Sequence, residues 1–150
     1  MTSQATRPAL KVIRPHRRGI GVYTCFALML LLVLPIFALI RITARIDWWI
    51  LAAAPLAVSA FTFFLYRDDK RRAEASEWRI PEFTLHFWEL AGGWPGAFLA
   101  QRIVRHKISK ISYQFVFWLI VLLHQFVALD SLMGWWMIHG ALRFIKIHSA

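Results

Sequence analysis

The chain has 150 residues, 59% of them hydrophobic, and a mean hydropathy of +0.51, which is unusual for a soluble domain of this length and points to a membrane as solvent. Its net charge of +10 then reads as the Lys and Arg that membrane proteins gather in cytoplasmic loops rather than as a nucleic-acid footprint. The single cysteine, Cys25, excludes an intrachain disulfide framework and a dithiol redox motif.

Residues 1–18 read as a basic cytoplasmic arm. Arg7, Lys11, Arg14, Arg17 and Arg18 occur with no acidic residue, and Pro8 and Pro15 oppose a long helix. Three runs without a charge follow, Gly19 to Ile40, Trp48 to Tyr66 and Ile111 to Leu129, of 22, 19 and 19 residues. Each can cover the roughly 20 residues that a helix needs to span a bilayer. The first exceeds the usual h-region of a secretory signal and lacks a small-x-small cleavage site, so it is expected to remain as a span. Spans are thus expected over about 19–41, 48–66 and 111–130. Arg41 to Asp47 makes a tight connection, and Trp48 and Trp49 mark an interface. Between Tyr66 and Arg79 the sequence "YRDDKRRAEASEWR" holds both signs of charge, no Gly and no Pro, which suits a short solvated helix.

The stretch from 81 to 104 is a poor span. It contains Glu89 and is broken by Gly92, Gly93, Pro95 and Gly96. An ionised carboxylate near the bilayer centre costs at least about 2.5 kcal/mol. A crossing here would also strand Arg102, Arg105, Lys107 and Lys110 on the wrong side. A re-entrant hairpin removes both objections: Pro81 and Glu82 suit a helix N-terminus, Gly92 and Gly93 suit a stop, and a limb of about 16 Å reaches half the hydrocarbon depth. Trp94 would mark its tip. Folding back near Gly93 would set His86 opposite Gln101 and Glu82 opposite Arg105, and bring Glu89 toward Arg102 or a neighbouring helix. Irregular backbone at depth must be covered by protein or water, which makes a homodimer an expected partner state.

The fold expected is an all-α integral membrane protein: a helical membrane domain over 19–134, with three full spans and the broken hairpin, followed by an amphipathic tail over 135–150. The alternative is four transmembrane helices, which would leave both termini cytoplasmic. In the tail, Trp135 and Trp136 read as an interfacial belt, and Arg143 and Lys146 end an amphipathic helix.

Glu82, His86 and Glu89 recur at i, i+4 and i+7 and so share one helical face. Two carboxylates about an imidazole suit a proton relay or a metal. For a metal only His86 and Glu89 come forward, as a reversed echo of a di-iron pattern without its remaining ligands, so no metal and no cofactor is predicted. Arg105, His106, Lys107 and Lys110 form a cationic patch suited to a lipid phosphate or another anion. His124, in the middle of the last span, is expected to hydrogen-bond across helices, with haem or metal ligation as the sharper alternative. Phosphate-loop, dinucleotide, serine-elbow and Cys/His nucleophile patterns do not occur, which excludes a conventional soluble hydrolase.

"YRDDKRRA", "WRIPEFTLHFWELAGGWPGAFLAQ" and "RHKISKISYQFVFW", in that order from about Tyr66 to Trp118, resemble the bacterial membrane family catalogued as domain of unknown function twelve-ninety-four. The resemblance implies a small multi-helix protein of the bacterial inner membrane and supplies no activity. The positions that match its motifs are Asp69, Lys70, Arg79, Pro81, Glu82, His86, Glu89, Gly92, Gly93, Gly96, Gln101, Arg105, His106, Lys107 and Lys110. Some members resemble fusions to a cold-shock domain, for which residues 1–18 are too short. Three functions remain open: binding of an anionic lipid or protein partner at the cytoplasmic face, an enzyme or proton-coupled transporter built on Glu82, His86 and Glu89, and a nucleic-acid tether using the arm.

Overall fold

The computed structural model describes residues 21–42, 47–104 and 110–148. The basic arm, Arg105, His106 and Lys107 lie outside the described residues. Within them every regular element is helical: α1 (Val22–Ile42), α2 (Trp48–Glu74), α3 (Glu82–Trp88), α4 (Trp94–Val104), α5 (Ile111–Leu132) and α6 (Trp136–His148), with a π-type turn over Glu89–Gly93 joining α3 to α4. The expected all-α fold is therefore observed. Two helices, Val22–Arg41 and Ile111–Leu132, are long and apolar enough to cross a membrane.

One boundary differs from expectation. The charged stretch after Tyr66 is not a separate solvated helix but the continuation of α2, which runs to Glu74. With no Gly or Pro to stop it, the helix is carried on by pairs one turn apart, Asp68 with Arg72 at 2.7 Å and Lys70 with Glu74 at 3.3 Å.

Two side chain to backbone bonds set the direction of α1 against α5. Gln125 Nε2 donates to the carbonyl of Leu31 at 2.7 Å, and Arg41 Nη1 donates to the carbonyl of Leu132. Residue numbers rise together along the contact, so α1 and α5 are parallel. The hydroxyls of Tyr66 and Tyr113, 2.5 Å apart, bring the later part of α2 to the start of α5, so α2 runs back against both.

The segment between α2 and α5 then folds as a hairpin. At its start the ammonium of Lys110 lies 2.8 Å from Glu82. Along α4 the partners on α5 fall in reverse order: Trp94 against His124 and Phe98 against Trp118, each with ring centroids 6.3 Å apart, then Gln114 Nε2 donating to Gln101 Oε1 at 2.8 Å. The chain thus descends beside α5, turns at Trp94 and climbs back. From Tyr113 to His124 is about 16 Å along a helix axis at ~1.5 Å per residue, half the length of α5. Glu89–Gly93 breaks the helix between the two limbs, and Gly92 takes φ +105°, a conformation that favours glycine.

The hairpin limbs lean on α2 and α5 rather than on each other. The buried core forms around them: Tyr66, Leu85, Trp94, Phe98, Tyr113, Phe117 and Val121, with Ala97 and Ala100. Glycine permits the approach to α2. A Cβ on Gly96 would overlap the carbonyl of Ser59, and one on Gly93 would overlap the Thr62 side chain and come within 2.7 Å of the Trp88 carbonyl. By contrast α1 leaves Phe26, Met29, Leu30, Phe37 and Ile40 largely exposed.

Candidate functional site

Glu89 opens the break between α3 and α4, and its carboxylate has no exposure. Placing it there requires donors, because an unpaired buried charge is costly. Three converge on it. Tyr66 of α2 donates its hydroxyl to Oε1, Tyr113 of α5 donates to the same oxygen at 2.9 Å, and His86 Nδ1 lies 2.7 Å from Oε2. The imidazole of His86, one turn before Glu89, is stacked on the Tyr113 ring at 4.1 Å between centroids, which fixes its plane. Gln101 of α4 donates to the Tyr66 hydroxyl at 3.2 Å and accepts from Gln114. Every buried side-chain nitrogen and oxygen among the described residues has a partner. One carboxylate, one imidazole and two phenols are thus joined by continuous hydrogen bonds, an arrangement that can share and relocate a proton.

Two further carboxylates organise the surroundings. Asp69 is buried, accepts the Ile80 amide at 3.0 Å and pairs with Arg79 at 3.6 Å, so it ties the loop before α3 to α2. Asp68, one residue earlier and half-buried, is held below the usual carboxylate range chiefly by its hydrogen bond to Arg72. Beside this loop an open groove of about 500 Å³ is lined by Trp78, Arg79, Ile80, Pro81 and Glu82.

The expected constellation is brought together in part. His86, Glu89 and Gln101 share one network, but His86 reaches Gln101 through Glu89 and Tyr66 instead of facing it directly. Glu82 stands apart at the mouth with Lys110, one turn short of the buried cluster, and its expected pairing with Arg105 lies outside the described residues. Glu89 meets neighbouring helices and not Arg102, whose guanidinium stacks 3.5 Å above the Phe98 ring. Lys70 turns away to Glu74, while Asp69 and Arg79 hold the loop. Gly92 and Gly93 make the break, and Pro95 and Gly96 fall in the first turn of α4, where proline costs no hydrogen bond.

The ring of His124 meets Trp94 of α4, but its hydrogen bond stays within its own helix, with Nδ1 2.8 Å from the Ile120 carbonyl. For a metal, His86 and Glu89 bond each other directly, and among the described residues no group of three His, Cys, Asp or Glu gathers. Tyr66, Tyr113 and Gln114 are the members that sequence reasoning missed. The available signal was a polar side chain at the edge of two uncharged runs, inside two of the quoted motifs.

The family model described as Protein of unknown function (DUF1294) matches residues 59–113. This is the family that the three ordered motifs resemble. The match begins at Ser59, under Gly96, and ends at Tyr113, so it contains every member of the Glu89 network except Gln114. No curated protein and no solved structure matches the chain.

Proposed function

We propose that this chain, whose residues 59–113 carry the domain of that family, is an integral protein of the bacterial cytoplasmic membrane whose polar cytoplasmic face binds an anionic lipid. In this reading α1, the apolar part of α2 and α5 cross the bilayer, and residues 82–104 re-enter from the cytoplasmic side. The exposed apolar surface of α1 suits contact with lipid, and the parallel α1 and α5, with α2 running the opposite way, suit three crossings. The arm, the charged end of α2 with the loop after it, and the α4 to α5 connection then share one side, and together they hold most of the Lys and Arg.

The observation that carries the lipid reading is the groove at the hairpin mouth. Arg79 and Lys110 stand at or beside it, and Trp78 and Phe83 are 88% and 79% exposed. Aromatic rings at headgroup level beside forked cationic donors suit a phospholipid phosphate. The connection to Lys110 adds Arg105 and Lys107 by sequence. The test is retention of anionic phospholipid through delipidation of the purified protein. Arg79→Ala and Lys107→Ala should each lower it, and unchanged retention in both would overturn the reading.

A second reading is favoured by the Glu89 network itself. A carboxylate that is buried among phenols and an imidazole, with no Lys or Arg against it among the described residues, is equipped for proton-linked transport or catalysis. Glu89→Gln should abolish proton flux in proteoliposomes, and undiminished flux would reject this role.

A further inference from the structure

At the end of the bundle opposite the hairpin mouth, α5 stops at Leu132 and the chain turns sharply. Gly134 and Trp135 both take positive φ, +72° and +62°. The turn is latched by Asp130, whose side chain is fully buried and whose two oxygens accept the amides of Met137 and Ile138 at 2.8 and 3.2 Å. A carboxylate on the first free amides of α6 both caps it and complements its dipole. The direction in which α6 leaves α5 is therefore built in.

The helix so aimed is two-faced. Ile138, Ala141, Leu142 and Ile145 recur at i, i+3, i+4 and i+7, with Phe144 beside them, while His139, Arg143 and Lys146 recur at i, i+4 and i+7 on the other side. Leu142, Phe144 and Ile145 are 58%, 63% and 61% exposed, and α5 is the helix against which α6 packs.

We propose that α6 lies flat on the far leaflet of the membrane, its apolar ridge sunk among the upper acyl chains and its cationic ridge on anionic headgroups. Two features select lipid as the occupant. The helix begins directly where an apolar, membrane-length helix ends, and its charges match a negatively charged surface. The proposal rests on α5 crossing the bilayer, and the test separates the two.

Single nitroxides are placed at Leu122→Cys, Arg143→Cys and Ile145→Cys in a Cys25→Ser background. The full chain is reconstituted in phosphatidylglycerol-containing nanodiscs, and collision with oxygen is compared with collision with a water-soluble nickel chelate. Position 122 should favour oxygen, 145 should favour oxygen and 143 should favour nickel. Adding Asp130→Ala should erase the contrast between 143 and 145. If 122 favours oxygen while 143 and 145 behave alike, α6 does not lie on the membrane. If 145 is shielded from both reagents, a second protein surface covers it and the lipid assignment is wrong. If 122 favours nickel, α5 does not cross and both readings fall.

Discussion

Lys110 closes on Glu82 with its ammonium 2.9 and 2.8 Å from the two carboxylate oxygens, so the chain starts and leaves the hairpin at one place. Both partners are about half exposed, and such pairs contribute about 0–1 kcal/mol. The bridge therefore marks the hairpin's register more than it holds it. Glu82→Gln is expected to change stability in detergent by less than about 1 kcal/mol, whereas Leu85→Ala, which empties a fully buried site in α3, should cost about 2–5 kcal/mol. Equal effects in unfolding titrations would contradict this division.

The contact of α4 with α2 makes a sharper demand. The atom in the way of a Gly96 Cβ is the Ser59 carbonyl, and backbone cannot rotate aside. Gly96→Ala should destabilise by about 1–3 kcal/mol or more, measured by thermal unfolding of the purified protein. Gly140→Ala, in α6 with open space around it, should be neutral or slightly stabilising.

The donors on Glu89 should behave as one unit. Tyr113→Phe leaves a buried carboxylate oxygen short of a partner and should cost about 1–3 kcal/mol. In a Glu89→Gln background the same substitution should cost less, because the charge that needed the donor is gone. Additive effects in the double-mutant cycle would show that the Tyr113 hydroxyl acts through partners other than Glu89.

Asp69 makes a local prediction. Its loss frees the Ile80 amide and Arg79 together, so Asp69→Ala should expose residues 75–81 to limited proteolysis while the helices on either side stay intact. Cleavage unchanged from the parent chain would show that the loop is held by other contacts.

The long helices were legible because an uncharged run of membrane length is a one-dimensional signal. The break between α3 and α4 was legible because Gly92, Gly93, Pro95 and Gly96 interrupt the helical run. The network was half legible: His86 and Glu89 share a helical turn, which spacing reveals, but Tyr66 and Tyr113 meet them only once α2 and α5 are packed. A tyrosine at the end of an apolar run reads equally well as an interfacial anchor. The continuation of α2 to Glu74 was hidden by the assumption that a helix ends where its apolar run does, although its i, i+4 pairs were there to be counted. His124 illustrates the opposite error. A mid-span imidazole was expected to need a neighbouring helix, and a carbonyl one turn back, that of Ile120, accepts it.

The central claim is that residues 82–104 leave and return to the same end of the bundle while α5 crosses to the other. Single cysteines at Ser76, Ser112 and Met133, all exposed, in a Cys25→Ser background should be probed with a membrane-impermeant maleimide on sealed right-side-out and inverted vesicles. Positions 76 and 112 are predicted to label together in inverted vesicles, and position 133 in right-side-out ones. Labelling of 76 and 112 from opposite sides would establish a fourth crossing and contradict the hairpin.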